Sequence, residues 1–187
     1  MGYRIRPAST SDVDALMALR TEAEGWLSSV GTDQWSHSEI AGRALERWRA
    51  TIDDGRSWVV TDDQGAVVAT VSRGPADPDF WRASDQPESA FYLYKLIVAR
   101  SASGNGLGDR ILAWADDVAA AEGRTWVRID CWRTNHGLQK YYVDRGFEYI
   151  RTESPSHRKS GWLAQRRAER NSTHDLTERP TEKQHVH

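Results

Sequence analysis

The fold is decided by FYLYKLIVARSASGNGLGDRILAWADDVAAAE, residues Phe91–Glu122. Its first eight residues, Phe91–Val98, are aromatic, aliphatic or β-branched apart from Lys95, the composition of a buried strand. Its last part sets Leu107, Ile111, Trp114 or Ala115, and Val118 on one face at helical spacing, and Gly123 follows as a C-terminal stop. Between them lies Ser103-Gly104-Asn105-Gly106-Leu107-Gly108, where three glycines alternate with other residues. Glycine lacks side-chain bulk and tolerates positive φ, so such a turn can aim several backbone N–H groups at one point. That point sits at a helix N-terminus, where unpaired donors and the macrodipole favour an anion. The stretch reads either as a phosphate or pyrophosphate cradle or as an ordinary Gly-rich turn before a helix.

Two common phosphate motifs do not fit. A P-loop needs Gly-Lys-Ser/Thr, and Gly108 is followed by Asp109-Arg110. The dinucleotide fingerprint needs G-x-G-x-x-G early in a βαβ unit, whereas this chain has G-x-G-x-G in its second half.

The residues downstream add a pattern of their own. Trp126–Trp132 reads as another strand, followed by Asn135, Leu138, Tyr141-Tyr142 and Gly146-Phe147. The run LIVARSASGNGLG, then helix, strand and N-x-x-L-x-x-Y-Y-x-x-x-G-F, resembles the GNAT superfamily of acyl-CoA N-acyltransferases. The resemblance covers Tyr3 to Arg166 in element order, and its specific part is Leu93–Phe147. It implies that Ser103, Gly104, Asn105, Gly106, Leu107 and Gly108 hold the pyrophosphate of coenzyme A, with acetyl-CoA as co-substrate and no metal. Ser103 stands where the family usually has a basic residue, and Ala99-Arg100 replaces the usual proline after the strand. The resemblance also implies that the Phe91–Val98 strand splays from its neighbour near Leu96 to Val98, freeing backbone groups for the pantetheine amides. Val98 N–H would then polarise the acyl carbonyl. Asn135, at the start of the helix bearing Tyr142, either meets the cofactor or serves only as an N-cap. Arg100, Arg110 and Lys140 are candidates for the 3′-phosphate or simply solvated surface charges.

The chemistry makes its own demands. Acyl transfer to an amine needs a neutral nitrogen, so a base must take a proton from a group whose reference pKa is about 10.4. Donors must meet the developing oxyanion, and an acid must protonate the leaving thiolate. Tyr142, four residues before Gly146, matches the family's general acid. A phenol of reference pKa about 10 stays protonated at neutral pH. The alternative is that Tyr142 only packs under the cofactor. Glu88 and Asp130 are the carboxylates nearby in sequence, and the sequence does not choose a base between them and a water chain. Nine tryptophans are many for 187 residues. Trp26, Trp35, Trp81, Tyr92, Tyr94 and Trp132 lie on segments that the resemblance implies flank the acceptor cleft. They suit a small, partly apolar or cationic amine met by Asp33, Glu88 or Asp130, although tryptophans also simply pack cores. Small-molecule amine acetylation is favoured. A protein or peptide acetyltransferase, a non-catalytic acyl-CoA-binding module and a scaffold protein remain as alternatives.

In chain order, Tyr3–Pro7 predicts a first strand, with Thr10 or Ser11 capping the helix after it. Gly25 to Trp35 predicts a loop or broken helix, and Ser38 to about Ile52 a second helix. Ser57–Thr61 and Ala66–Ser72 predict a hairpin, and Gly74–Pro87, with three prolines, an irregular loop. A helix His136–Arg145 and strands Phe147–Thr152 and Gly161–Gln165 complete one α/β domain over residues 1–165. That domain is expected to be a mixed, mostly antiparallel sheet with helices on both faces. Residues 166–187 are charged and polar and predict a disordered tail. The net charge of −2 lends no support to nucleic-acid partners, and no apolar stretch nears the roughly 20 residues of a membrane span. One cysteine suits a reducing cytoplasm, and the six histidines show no metal-ligand spacing. The sequence is compatible with a homodimer.

Overall fold

The structure, a computed structural model, describes residues 2–34, 38–170 and 175–178, with side chains in the second helix from residue 43 onward. The chain begins with β1 (Arg4–Pro7) and a 3₁₀ turn, Thr10–Asp12, that opens α1 (Val13–Ser29). Ser9 stands at the cap of the 3₁₀ turn and Asp12 at that of α1, rather than Thr10 or Ser11. Asp12 accepts the Ser9 N–H at 2.7 Å and is held by both Arg6 guanidinium nitrogens at 2.8 Å. The helix runs through Gly25 to Ser29, past the expected break. A glycine costs about 1 kcal/mol in a helix, and Leu27, 6% exposed, anchors the last turn against that cost.

There follow α2 (Ser38–Asp53), β2 (Ser57–Thr61), β3 (Val67–Gly74) and β4 (Ala90–Val98). After them come α3 (Leu107–Ala121), β5 (Trp126–Trp132), α4 (His136–Val143), β6 (Glu148–Thr152), β7 (Ser160–Arg167) and the two-residue β8 (Thr177–Glu178). The sheet order is β6-β7-β5-β4-β3-β2-β1-β8, antiparallel except for β4–β5 and β1–β8. Buried residues run consecutively along β3 and β5, as they must where helices cover both faces. One continuous core joins Leu16, Trp48, Val59, Val71, Ile111, Trp114 and Ile129. A smaller cluster of Phe80, Trp81, Ala90, Tyr92 and Leu163 sits under the 74–87 segment, which contains a 3₁₀ turn at Ala83–Asp85.

Of residues 166–187, expected to be a disordered tail, the described parts are 166–170 and 175–178. Arg166 lies in β7, and its guanidinium donates to Asp116 at 2.6 Å, to the Arg145 carbonyl at 2.8 Å and to the Leu112 carbonyl at 3.2 Å. It thereby ties the strand to α3 and to the turn after α4. Further on, Leu176 is buried and β8 pairs in parallel with Arg4 and Ile5. Polar composition concealed this because two residues of backbone pairing and one leucine leave no periodic signal.

Candidate active site

The site follows from what β4 does along its length. Its first residues pair with β5 (Ala90 with Trp126, Phe91 with Val127, Tyr92 with Arg128), and that ladder then stops. On its other side β4 stays paired with β3, but the register shifts between Thr70 and Ser72, so that one residue of β3 faces two of β4. Lys95 sits in this bulge at φ 51°. The strands β4 and β5 therefore diverge like a wedge, and the splay begins closer to the strand's start than the Leu96–Val98 expectation. Ala99 N–H bonds the Val68 carbonyl of β3 at 2.8 Å. Consecutive N–H groups of a strand point to opposite sides, so Val98 N–H faces the opening toward β5.

Two cavities lie on either side of this wedge, about 910 Å³ and about 900 Å³. Leu96, Ile97, Leu138, Gln34 and Tyr142 line both. Tyr142 is 6% exposed, its ring edge-on to Tyr141 at 5.3 Å and to Phe147 at 5.2 Å. Burial pushes its phenol well above the ordinary range, so the hydroxyl keeps its proton at neutral pH. Tyr141 lines only the second cavity, with the Arg145 guanidinium 3.6 Å above its ring.

The second cavity is floored by the glycine loop. Gly104 and Gly106 hold φ of 81° and 71°, and a Cβ on either would project into open space. The backbone is thus shaped as a cradle with volume in front of it for a ligand. Gly108 is glycine for another reason: a Cβ there would stand 2.2 Å from the Tyr141 hydroxyl. Ser103 and Leu107 line the same space, whereas Asn105 is exposed and outside it. Asn135 is buried and lines the cavity, but its side chain caps α4 by accepting from Leu138 N–H at 2.9 Å. Its amide donates to Gln34 at 2.6 Å. Arg100, stacked 4.8 Å from Trp26, and Arg145, itself paired with Asp109, line this cavity. Arg110 instead turns to Tyr3 and Asp175, and Lys140 pairs with Asp144. Arg145 escaped the sequence reading because only the fold brings the end of α4 beside the loop.

The first cavity gathers residues from α1, α2, the bulge and the splayed part of β5. Tyr94 and Trp132 line it. The Tyr94 hydroxyl donates to the Pro75 carbonyl at 2.8 Å, and the Trp132 indole donates to Asp33 at 2.8 Å. Trp26 lines the other cavity, apart from Tyr94 and Trp132. Tyr92 lines neither: it packs edge-on to Trp81 in the smaller cluster and accepts a bond from Arg128 at 3.1 Å. Trp35 lies outside the described residues. Of the carboxylates, Asp33 is engaged by Thr134 and Trp132, and Glu88 lines neither cavity. Asp130 does line the first cavity. It is half-buried, and burial pushes its carboxyl up to about 6 against an opposing hydrogen bond from Ser160. Cys131 is buried and its thiol is pushed up by that burial, so it is a packing residue and no nucleophile. Among the described residues no cluster of His, Cys, Asp and Glu is placed to hold a metal ion. Among them also, no helix is long and apolar enough to cross a membrane.

A model of the acetyltransferase (GNAT) family matches residues 17–147, well over half of the chain. The chain belongs to the GNAT acetyltransferase family. It is 29% identical over 152 residues to YesJ of Bacillus subtilis (strain 168), an uncharacterized N-acetyltransferase, across 80% of this chain and 83% of that one. Two solved structures share the fold. A GNAT family acetyltransferase from Listeria monocytogenes 4b F2365 superposes with a TM-score of 0.69 at 24% identity, covering 88% of this chain and 94% of that one. The PaiA N-acetyltransferase from Thermoplasma acidophilum, solved in complex with coenzyme A, gives 0.69 at 15% identity, covering 89% and 99%. As a GNAT enzyme the protein is an acetyl-CoA-dependent acetyltransferase.

Proposed function

We propose that this is a cytoplasmic N-acetyltransferase for a small primary amine, with acetyl-CoA in the glycine-loop cavity, the amine in the Asp130 cavity, and direct transfer where the two meet. The observation that carries the reading is that Tyr142 lines both cavities while its neighbour Tyr141 lines one. The glycine cradle and the open volume before Gly104 and Gly106 fit the pyrophosphate of the co-substrate, with Arg100 and Arg145 supplying charge.

Asp130 is the base. A carboxyl near 6 is ionised at neutral pH yet basic enough to take a proton from a bound ammonium. The freed nitrogen lone pair forms the C–N bond at the acetyl carbonyl, whose oxygen Val98 N–H polarises. As the C–S bond breaks, Tyr142 gives its proton to sulfur. The nitrogen loses its second proton, which restores the Tyr142 hydroxyl through solvent. Asp130 releases its proton to water, so one amide, one thiol and one proton leave for each ammonium and thioester consumed.

The test is Tyr142→Phe, which keeps the ring and deletes the donor. General acid catalysis is typically worth 10²–10⁴-fold, so kcat should fall on that order with acetyl-CoA affinity nearly unchanged. Tyr141→Phe is the control and should retain kcat. Equal behaviour of the two variants would make Tyr142 a packing residue.

A further inference from the structure

The acceptor-side cavity has two electrostatic ends. At one, Asp130 faces Ser160, Asp77 and Arg158, and Arg158 is paired with Asp77 at 2.6 Å. At the other, Lys95 stands with its ammonium 4.2 Å from the Trp48 ring and 3.5 Å from both the Arg47 carbonyl and the Thr51 hydroxyl. The charges that reach it are Arg47, Arg20 and Arg56, all cationic, and with burial they pull its ammonium down to about 8. Arg20 and Arg56 have their own carboxylates, Glu24 and Asp54. Among the described residues no carboxylate stands within ion-pair distance of Lys95 or Arg47.

A half-buried lysine surrounded by arginines works against folding, because like charges repel and the ammonium is poorly solvated. Its backbone adds to the penalty: φ of 51° is the left-handed region, which strains a non-glycine residue. Strain of this kind persists where the surroundings enforce it and where function uses it. The β3–β4 bulge is that surrounding, and it turns Lys95 from an apolar strand into the cavity.

We propose that the acceptor is an amine that also carries an anionic group, a carboxylate, phosphonate or phosphate, which Lys95 and Arg47 hold while the amine lies toward Asp130. The proposal rests on the assignment of this cavity to the acceptor. It makes the substrate class zwitterionic and excludes polyamines, whose second ammonium would meet the cationic end.

The experiment separates binding from turnover. Calorimetry on the full chain loaded with coenzyme A would compare 3-aminopropylphosphonate, and ω-amino acids from glycine to 6-aminohexanoate, with propylamine and spermidine. At least one anionic amine should bind at least tenfold tighter than propylamine. Lys95→Gln and Arg47→Gln should each abolish most of that preference while leaving acetyl-CoA affinity unchanged. Arg47 is exposed on α2, so its variant folds even if the bulge tolerates no change at Lys95. Propylamine or spermidine binding as tightly as every anionic amine, or a preference that survives in Arg47→Gln and a folded Lys95→Gln, would overturn the proposal. A thiol-release assay on the same amines then reports independently. Anion preference without thiol release would defeat the acetyltransfer assignment alone, and release with propylamine or spermidine but no anion preference would defeat this inference alone.

Discussion

The two cavities that meet at Tyr142 are of nearly equal size, yet they are built in opposite ways. The cavity proposed for acetyl-CoA has a floor made of backbone. Six consecutive residues, Ser103–Gly108, bend through two positive-φ glycines into the N-terminus of α3, and they form a site wherever the strand before and the helix after are intact. The cavity proposed for the acceptor is made largely of side chains from distant segments. Arg20 is on α1, Arg47 on α2, Lys95 in the β4 bulge and Asp130 on β5. A local site binds a common chemical group, and an assembled one can be changed residue by residue to fit a particular substrate.

The largest expected effect strikes the backbone-built side. Gly106→Val adds a branched side chain at φ 71°, into the open volume before the cradle. Acetyl-CoA affinity should fall at least about 100-fold, and the positive φ should lower stability by about 1–3 kcal/mol without unfolding the domain. Calorimetry with a thermal melt checks both. Unchanged affinity would remove the glycine loop from the site.

Next comes the chemistry on the other side. Asp130→Asn should lower kcat/KM by about 10²–10³ and leave acetyl-CoA binding intact. With Asp130 as the proposed base, its working form is the carboxylate, and its pKa is raised to about 6. Activity should therefore be retained above that value and be lost tenfold per pH unit well below it. Arg158, Asp77 and Ser160 face this carboxyl and set the position of the limb. A pH–rate profile on wild type and variant checks this, and an acid limb that persists in Asp130→Asn would assign it elsewhere.

The smallest effect concerns the missing basic residue. Ser103→Arg should tighten acetyl-CoA by about 1 kcal/mol, the scale of one charge-assisted bond at a surface. Arg100→Gln should loosen it by a similar amount. No response in either variant would mean that Arg145 alone meets the phosphates.

The difference in construction also explains how much could be read beforehand. The strand–loop–helix at Phe91–Glu122, the parallel β5 and the helix bearing Tyr142 follow from periodicity, glycine and a motif, all local properties. The acceptor cavity does not. Trp26 and Tyr92 were both expected in its wall, and they lie in the glycine-loop cavity and in a separate cluster. Tyr92 and Tyr94 share a side, as strand alternation requires, and Tyr94 packs against the cluster that holds Tyr92, but only Tyr94 reaches the cavity. Lys95 was visible as the one charge in an apolar strand, and only the bulge shows that it lines the cavity. Asp130 was one of two equivalent carboxylates until the fold left Glu88 outside both cavities.

The division of labour is tested most directly by steady-state kinetics with both substrates varied, on Gly106→Val and Arg47→Gln side by side. The expected result is a clean exchange: Gly106→Val raises KM for acetyl-CoA and spares that of the amine, and Arg47→Gln does the reverse. If both variants move the same KM, the two cavities are one site, and the assignment of substrates to either side of Tyr142 is wrong.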